Sequence, residues 1–214
     1  MIAEKINIVN LNVLRFDFEG LIDNKKLKEV VLKTRELKKS RNPKNGLYED
    51  NEIDNDHPAM LTLRKHVDTV FKQLDNRFKG SSNSWGHILY TGQQTTPHSH
   101  LNLISISEHP DNHIQTASIA THALSWCYYV EADEKSGEIV FVPEYKGFEF
   151  GITPKTSSLL VFPNWMTHYT KLNHSDNIRI SISGNRFLSM EQMRSPTRDV
   201  LDIYGYPDRT TRSI

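Results

Sequence analysis

The sequence has one cysteine, Cys127, so no internal disulfide can form, and a reducing cytoplasm is the default expectation. It has no excess of charge: 26 basic and 26 acidic side chains cancel, which leaves no electrostatic footprint for nucleic acid or an anionic membrane. It has no long apolar run, so no segment reads as a membrane span. The first residues, MIAEKINIVNLNVL, mix acidic and polar residues into their apolar stretch, which argues against a secretory signal. No internal repeat and no separable second domain is visible. Cys127 lies within an apolar strand pattern and reads as a small buried hydrophobe rather than a nucleophile.

Histidine, by contrast, is plentiful. Eight of the ten lie between His87 and His174. Imidazoles gathered in one half of a chain point toward a metal site, although surface histidines are common. The 214 residues are enough for one domain, divided here into a supporting region (1–84), a β core (85–187) and an irregular tail (188–214). Residues 4–19 are expected to be extended. Asp23-Asn24 is expected to cap a helix over 25–39, in which Leu27, Val30, Val31 and Leu37 form a stripe on a basic background. Residues 41–57 read as a polar loop. Asp56 is a candidate cap for a second helix over 58–78, whose apolar positions repeat near every 3.6 residues and whose first turn holds Pro58. From Ser84 onward short strands follow one another without helices, near 85–91, 97–105, 116–121, 124–130, 138–142, 148–151, 157–162 and 178–184. That pattern predicts a mainly β fold, closed or double-sheeted and antiparallel.

Two stretches carry the candidate chemistry. In SSLLVFPNWMTH a strand stops at Pro163, and His168 follows on a turn five residues later. In RISIS the alternation is strict, so Arg179, Ser181 and Ser183 share one face and Ile180 and Ile182 the other. Imidazole offers a neutral nitrogen ligand, and arginine offers a forked donor matched to a carboxylate. A sheet with one wet face is the plainer reading of the same pattern. The second stretch is GQQTTPHSH. On a strand, His98 and His100 point the same way, about 6–7 Å apart by strand rise, which lets both rings reach one ion. Three protein ligands leave coordination positions open, as a catalytic metal requires.

Taken together, the H-x-H pair, LSWCYYVEADEKSGEIVFVPE, FPNWMTH and RISISGN resemble the 2-oxoglutarate- and Fe(II)-dependent oxygenases, and within them a prolyl-hydroxylase-like group. The resemblance covers about residues 85–187. It implies a double-stranded β-helix, or jelly roll, with the two N-terminal helices on the outside of one sheet. It also implies an oxidoreductase that uses dioxygen, binds Fe(II) and takes 2-oxoglutarate as cosubstrate. Such an enzyme hydroxylates an unactivated C–H bond of a small-molecule or peptidyl substrate and releases succinate and carbon dioxide. By that resemblance His98 and His168 are metal ligands, Arg179 with Ser181 holds the far carboxylate of 2-oxoglutarate, and Tyr90 is a phenol donor to the same group. Trp126, Tyr128 and Trp165 are candidates to face the substrate.

The pattern departs from the superfamily at the third ligand. The usual motif ends in Asp or Glu, whereas His100 occupies that place here. Either His98, His100 and His168 form a three-histidine site, or His109 and Asp111 supply a literal H-x-D. The strand-like lead-in from Trp85 to Gly92 favours His98, and Pro110 sits poorly in a paired strand. A rival class is a cupin-like metal protein that does not use 2-oxoglutarate, either a three-histidine dioxygenase or isomerase or a small-molecule sensor. Arg179 separates the two classes, because a cupin has no use for it. Neither the substrate nor the oligomeric state can be read from these residues.

Overall fold

The computed structural model describes residues 12–38, 49–75, 78–100, 123–142 and 148–187. Within them the order is β1 (Leu14–Asp17), α1 (Asn24–Lys38), β2 (Glu49–Glu52), α2 (Pro58–Leu74), β3 (Lys79–Leu89) and β4 (Ala123–Glu131). Then come β5 (Ile139–Val142), β6 (Phe150–Ile152), β7 (Ser158–Pro163), β8 (Thr167–Thr170) and β9 (Arg179–Phe187). Six strands form one sheet in the order β1-β7-β4-β9-β3-β2, and three form a second in the order β6-β5-β8. All the pairings of both sheets are antiparallel.

Both helices form where their apolar stripes predict. The Asp23 carboxylate accepts the Lys26 N–H at 3.2 Å and so caps α1, while Leu27, Val30 and Val31 are buried. In α2 the cap is His57 rather than Asp56: its Nδ1 accepts the Ala59 N–H at 3.2 Å. The Asp56 N–H instead closes a local turn onto the Asp54 carboxylate. The helix also ends at Leu74, four residues before the expected end. Asp75 turns extended, its N–H still bonded to the Phe71 carbonyl, and the Phe78 ring comes back edge-on against Phe71 at 5.4 Å.

Two further expectations are corrected. The expected loop over 41–57 contains β2, which pairs with β3 from Glu49↔Ile88 to Glu52↔Trp85. The local sequence EDNE has little strand propensity; backbone pairing to an open sheet edge overrides it. The first core strand, expected near 85–91, begins earlier: residues 79–83 are the first half of β3, joined to its remainder by a register shift between Gly80 and Ser84. Of the extended stretch expected over 4–19, residues 12–19 are described, and Leu14–Asp17 of them form β1. The strand expected over 116–121 and the tail from residue 188 lie outside the described residues.

The six-stranded sheet has two unlike faces. Trp126, Tyr128, Leu159, Val161, Ile180 and Ile182 pack with Leu27, Val31, Leu63, Val67 and Phe71 of the helices into one core. Burying each such aliphatic side chain stabilises the fold by about 1.5–3 kcal/mol. Gly184 makes room there: a Cβ at this position would lie 2.7–2.9 Å from the indole of Trp126, its direct partner across β4 and β9. On the other face Cys127, Tyr129, Leu160 and Phe162 meet Ile139 and Phe141 of the small sheet. The Ser136–Gly137 turn before β5 is tight. Gly137 has φ +80°, and any Cβ there would run into the Lys171 carbonyl. No helix among the described residues is long and apolar enough to cross a membrane.

Candidate metal centre

Three histidines converge between the two sheets. His168 lies in β8, a short strand rather than the expected turn, and is buried. The segment 95–100 runs antiparallel beside it. The His98 N–H donates to the His168 carbonyl at 3.0 Å, the His168 N–H donates back at 2.8 Å, and the His100 N–H donates to the Asn164 carbonyl at 2.9 Å. Backbone pairing therefore brings residues seventy positions apart into register. The three rings lie 4.5, 5.0 and 5.6 Å apart between centroids, and one ligand nitrogen from each falls within 4.8 Å of the others.

The hydrogen bonds on the far side of each ring determine which nitrogen is available. His98 Nδ1 lies 2.8 Å from the Thr96 carbonyl, and His168 Nδ1 lies 2.9 Å from the Met166 carbonyl. A carbonyl only accepts, so Nδ1 carries the proton and Nε2 carries the lone pair. His100 Nδ1 faces Ser125 Oγ at 2.8 Å and Asn185 Oδ1 at 3.1 Å. Burial, then the facing rings of His100 and His98, holds His168 well below its ordinary value, against the opposing pull of the Met166 carbonyl. His168 is therefore neutral at pH 7, the form that ligates metals.

The same cavity contains Arg179, Ser181 and Ser183 of β9, with Cys127, Leu89 and Phe162 among its apolar walls. Its empty volume, counted out to the solvent mouth, is about 460 Å³. Arg179 is buried. Its Nη2 donates a long bond to the Tyr129 hydroxyl at 3.4 Å, its guanidinium lies 5.1 Å from the centre of the same ring, and its Nε has no hydrogen-bond partner. Among the described residues no carboxylate pairs with it. Burial pushes the Tyr129 phenol and the Cys127 thiol up, so both stay protonated. A fourth imidazole, His87, also lines the cavity but stands outside the cluster, its Nε2 accepting the Trp85 indole N–H at 2.8 Å.

The other candidate residues are placed elsewhere. Tyr90 packs against the helix-side core and is not part of the cavity wall; the phenol beside Arg179 is Tyr129. Trp126 and Tyr128 face the helices, where the Tyr128 hydroxyl donates to Asn24 Oδ1 at 2.8 Å, so neither faces this cavity. The reason is parity: from Leu124 to Val130 of β4 the even residues point to the helices and the odd ones to the other face. Trp165 is partly buried and touches both cores. His109 and Asp111 lie outside the described residues. Sequence reading missed Ser125, Tyr129 and Asn185. The two-residue period of β9, carried on from Arg179 to Asn185, was a usable signal for the last of these.

A scan against protein-family models finds no match, and no curated protein matches in sequence. Solved structures do match in fold. A Trichoplax adhaerens prolyl hydroxylase in complex with a hypoxia-inducible-factor peptide superposes with a TM-score of 0.55 at 14% identity, over 85% of this chain and 86% of its own. A non-heme alpha-ketoglutarate-dependent carbocyclase from nogalamycin biosynthesis gives 0.61 at 10% identity, over 84% and 80%. The viral collagen prolyl hydroxylase of Paramecium bursaria Chlorella virus-1, in its 2-oxoglutarate complex, gives 0.54 at 11% identity, over 82% and 95%. The chain has the fold these oxygenases share.

Proposed function

We propose that the chain is an Fe(II)- and 2-oxoglutarate-dependent oxygenase of the prolyl-hydroxylase-like kind, built as one domain around a double-stranded β-helix. The observation that carries this reading is the buried Arg179 guanidinium, without a carboxylate partner among the described residues, in the same cavity as three converging imidazoles. An uncompensated buried charge costs several kcal/mol, so the cavity is suited to an anion. The donor set fits a divalent transition metal: three imidazole nitrogens lie close enough together to hold one ion, in the wall of the cavity that contains Arg179.

In this reading His98, His100 and His168 hold the metal through Nε2. Arg179 and Ser181 bind the far carboxylate of 2-oxoglutarate, and the protonated Tyr129 hydroxyl adds a neutral donor beside the guanidinium. Leu89, the direct partner of Arg179 across β3 and β9, with Ile139 and Phe162 gives the cavity apolar walls, which strengthens the pairing of guanidinium with carboxylate. Fe(II) with 2-oxoglutarate supplies oxidative decarboxylation: one atom of dioxygen goes into succinate and the other into a substrate C–H bond, with carbon dioxide released. The substrate is a small molecule or a peptide. The fold neighbours include both a peptide-bound hydroxylase and a carbocyclase of a biosynthetic pathway.

Among the described residues the cluster holds three imidazoles and no carboxylate, which favours a second reading, a three-histidine cupin-like protein that does not use 2-oxoglutarate. Arg179 counts against it. Anaerobic titration of the Fe(II)-loaded protein with 2-oxoglutarate separates the two. The oxygenase reading expects a weak visible charge-transfer band that is lost in Arg179→Ala. Bound iron with no band in the parent protein would leave the cupin-like reading standing.

A further inference from the structure

We propose that Ser125 and Asn185 are positioning residues that make His100 a metal ligand, by holding it in the tautomer whose Nε2 carries the lone pair. This rests on the metal-centre reading above. Ser125 and Asn185 are direct partners across β4 and β9, and both side chains point into the space between the sheets. All three members of the group are buried. They form a closed triangle: His100 Nδ1 to Ser125 Oγ 2.8 Å, His100 Nδ1 to Asn185 Oδ1 3.1 Å, Ser125 Oγ to Asn185 Oδ1 2.7 Å.

Proton accounting leaves one arrangement. Asn185 Oδ1 has no proton and can only accept. The Ser125 hydroxyl gives its single proton to Asn185, so toward His100 its oxygen is an acceptor as well. His100 Nδ1 therefore meets two acceptors and must be the donor. The opposite tautomer would set a buried lone pair against two others. Trp85 packs edge-on at 5.3 Å between ring centroids and braces the imidazole from another side.

His98 and His168 are held differently. Each donates to a main-chain carbonyl two residues upstream, a partner that no substitution removes. His100 relies on side chains 25 and 85 positions away, so its orientation is encoded in specific residues. It is also the histidine at the position where the superfamily motif has a carboxylate. A carboxylate there would ligate from either oxygen, whereas an imidazole ligates only if something behind it fixes the ring. An acceptor pair on the adjacent strands meets that requirement without adding charge.

The test is anaerobic Co(II) binding to the whole chain, read from the visible ligand-field bands, with melting curves in chelator beside it. Asn185→Ala is expected to weaken Co(II) binding about 10–100-fold and Ser125→Ala by less, the range seen when outer-shell partners of metal-bound histidines are removed. Asn185→Asp, almost the same shape, is expected to bind Co(II) at least as tightly as the parent, since a carboxylate accepts the Nδ1 proton better. In a His100→Ala background Asn185→Ala should weaken binding no further, because the two act as one unit. A purely structural role would lower the chelator melting curve and leave Co(II) affinity within threefold of the parent; that result overturns the proposal. So does His100→Ala binding like the parent while His98→Ala and His168→Ala do not, which keeps the metal centre and removes His100 from it. A parent protein that binds neither Co(II) nor Fe(II) overturns the metal reading and this proposal with it.

Discussion

Two arginines on β9 are buried to nearly the same degree, seven residues apart and on opposite faces. Arg186 points to the helices. Its Nη2 donates to Asp68 of α2 at 2.8 Å, and its guanidinium lies 5.7 Å from the Phe71 ring centre and 5.9 Å from that of Trp126. Arg179 points to the cavity and has a 3.4 Å bond to a phenol and no carboxylate among the described residues. Burial alone therefore does not tell these two arginines apart. What separates them is whether the fold supplies a counter-charge. The helix face of β9 is closed, with Ile180 and Ile182 packed and Gly184 shaped to an indole. The cavity face is buried and, among the described residues, supplies Arg179 with no carboxylate.

The largest expected effect tests the cavity face. Arg179→Ala should weaken 2-oxoglutarate binding by about 3–5 kcal/mol, the usual cost of removing one partner of a buried ion pair. Anaerobic titration of the iron form measures it, and binding within threefold of the parent would contradict the assignment. A substitution on the closed face should separate stability from binding in the other direction. Gly184→Ala forces a Cβ against Trp126, and overpacking of this kind costs about 1–3 kcal/mol. Its melting temperature should fall by several degrees while Co(II) affinity holds.

The next effect concerns pH. His168 is held below its ordinary value of 6.5 by burial and by the facing rings. As pH falls below 6.5 the unfolded chain takes up a proton that the folded His168 refuses, so stability is complete above 6.5 and lost below it. The slope is at most about 1.4 kcal/mol per pH unit for this one group. Melting curves in chelator should drop from pH 7 to pH 5.5, and less steeply in His168→Gln. Equal curves at both pH values would contradict a neutral buried His168.

The smallest effect compares the arginines directly. Arg186→Met should lower the melting temperature by about 2–4 °C, near 1 kcal/mol for a chain of this size, because Asp68 is half exposed and its charge remains solvated. Arg179→Met in the ligand-free protein should leave the melting temperature unchanged or raise it, since it removes a buried charge that no carboxylate among the described residues balances. Two equal losses would erase the distinction between the faces.

Much of this was legible in advance because it is local. The apolar stripe of α2 and the alternation of Arg179 to Ser183 follow from the backbone periods of 3.6 and 2. The H-x-H pair and His168 were legible as residue types with the right chemistry. Tyr90 was a reasonable candidate for the phenol beside Arg179, because any tyrosine on a leading strand is one. Tyr129 is the one beside it because β4 pairs with β9 so that Tyr129 lies opposite Ser181. Trp126 and Tyr128 are adjacent to that residue in sequence, yet a single step along a strand reverses the face. β2 was illegible because nothing within EDNE favours a strand; its partner β3 does.

By itself, then, the sequence determined which residues alternate, where the helices run, and that three imidazoles and a guanidinium were available for one site. Those are properties of short segments and of side-chain chemistry. The tertiary structure decided which face of β4 looks into the cavity, that Arg179 lacks a carboxylate among the described residues while Arg186 has Asp68, and that Ser125 and Asn185 meet behind His100. Each of these depends on strand register and on what packs above the sheet. Register is set by the energy of the whole assembly, which no window of local sequence contains.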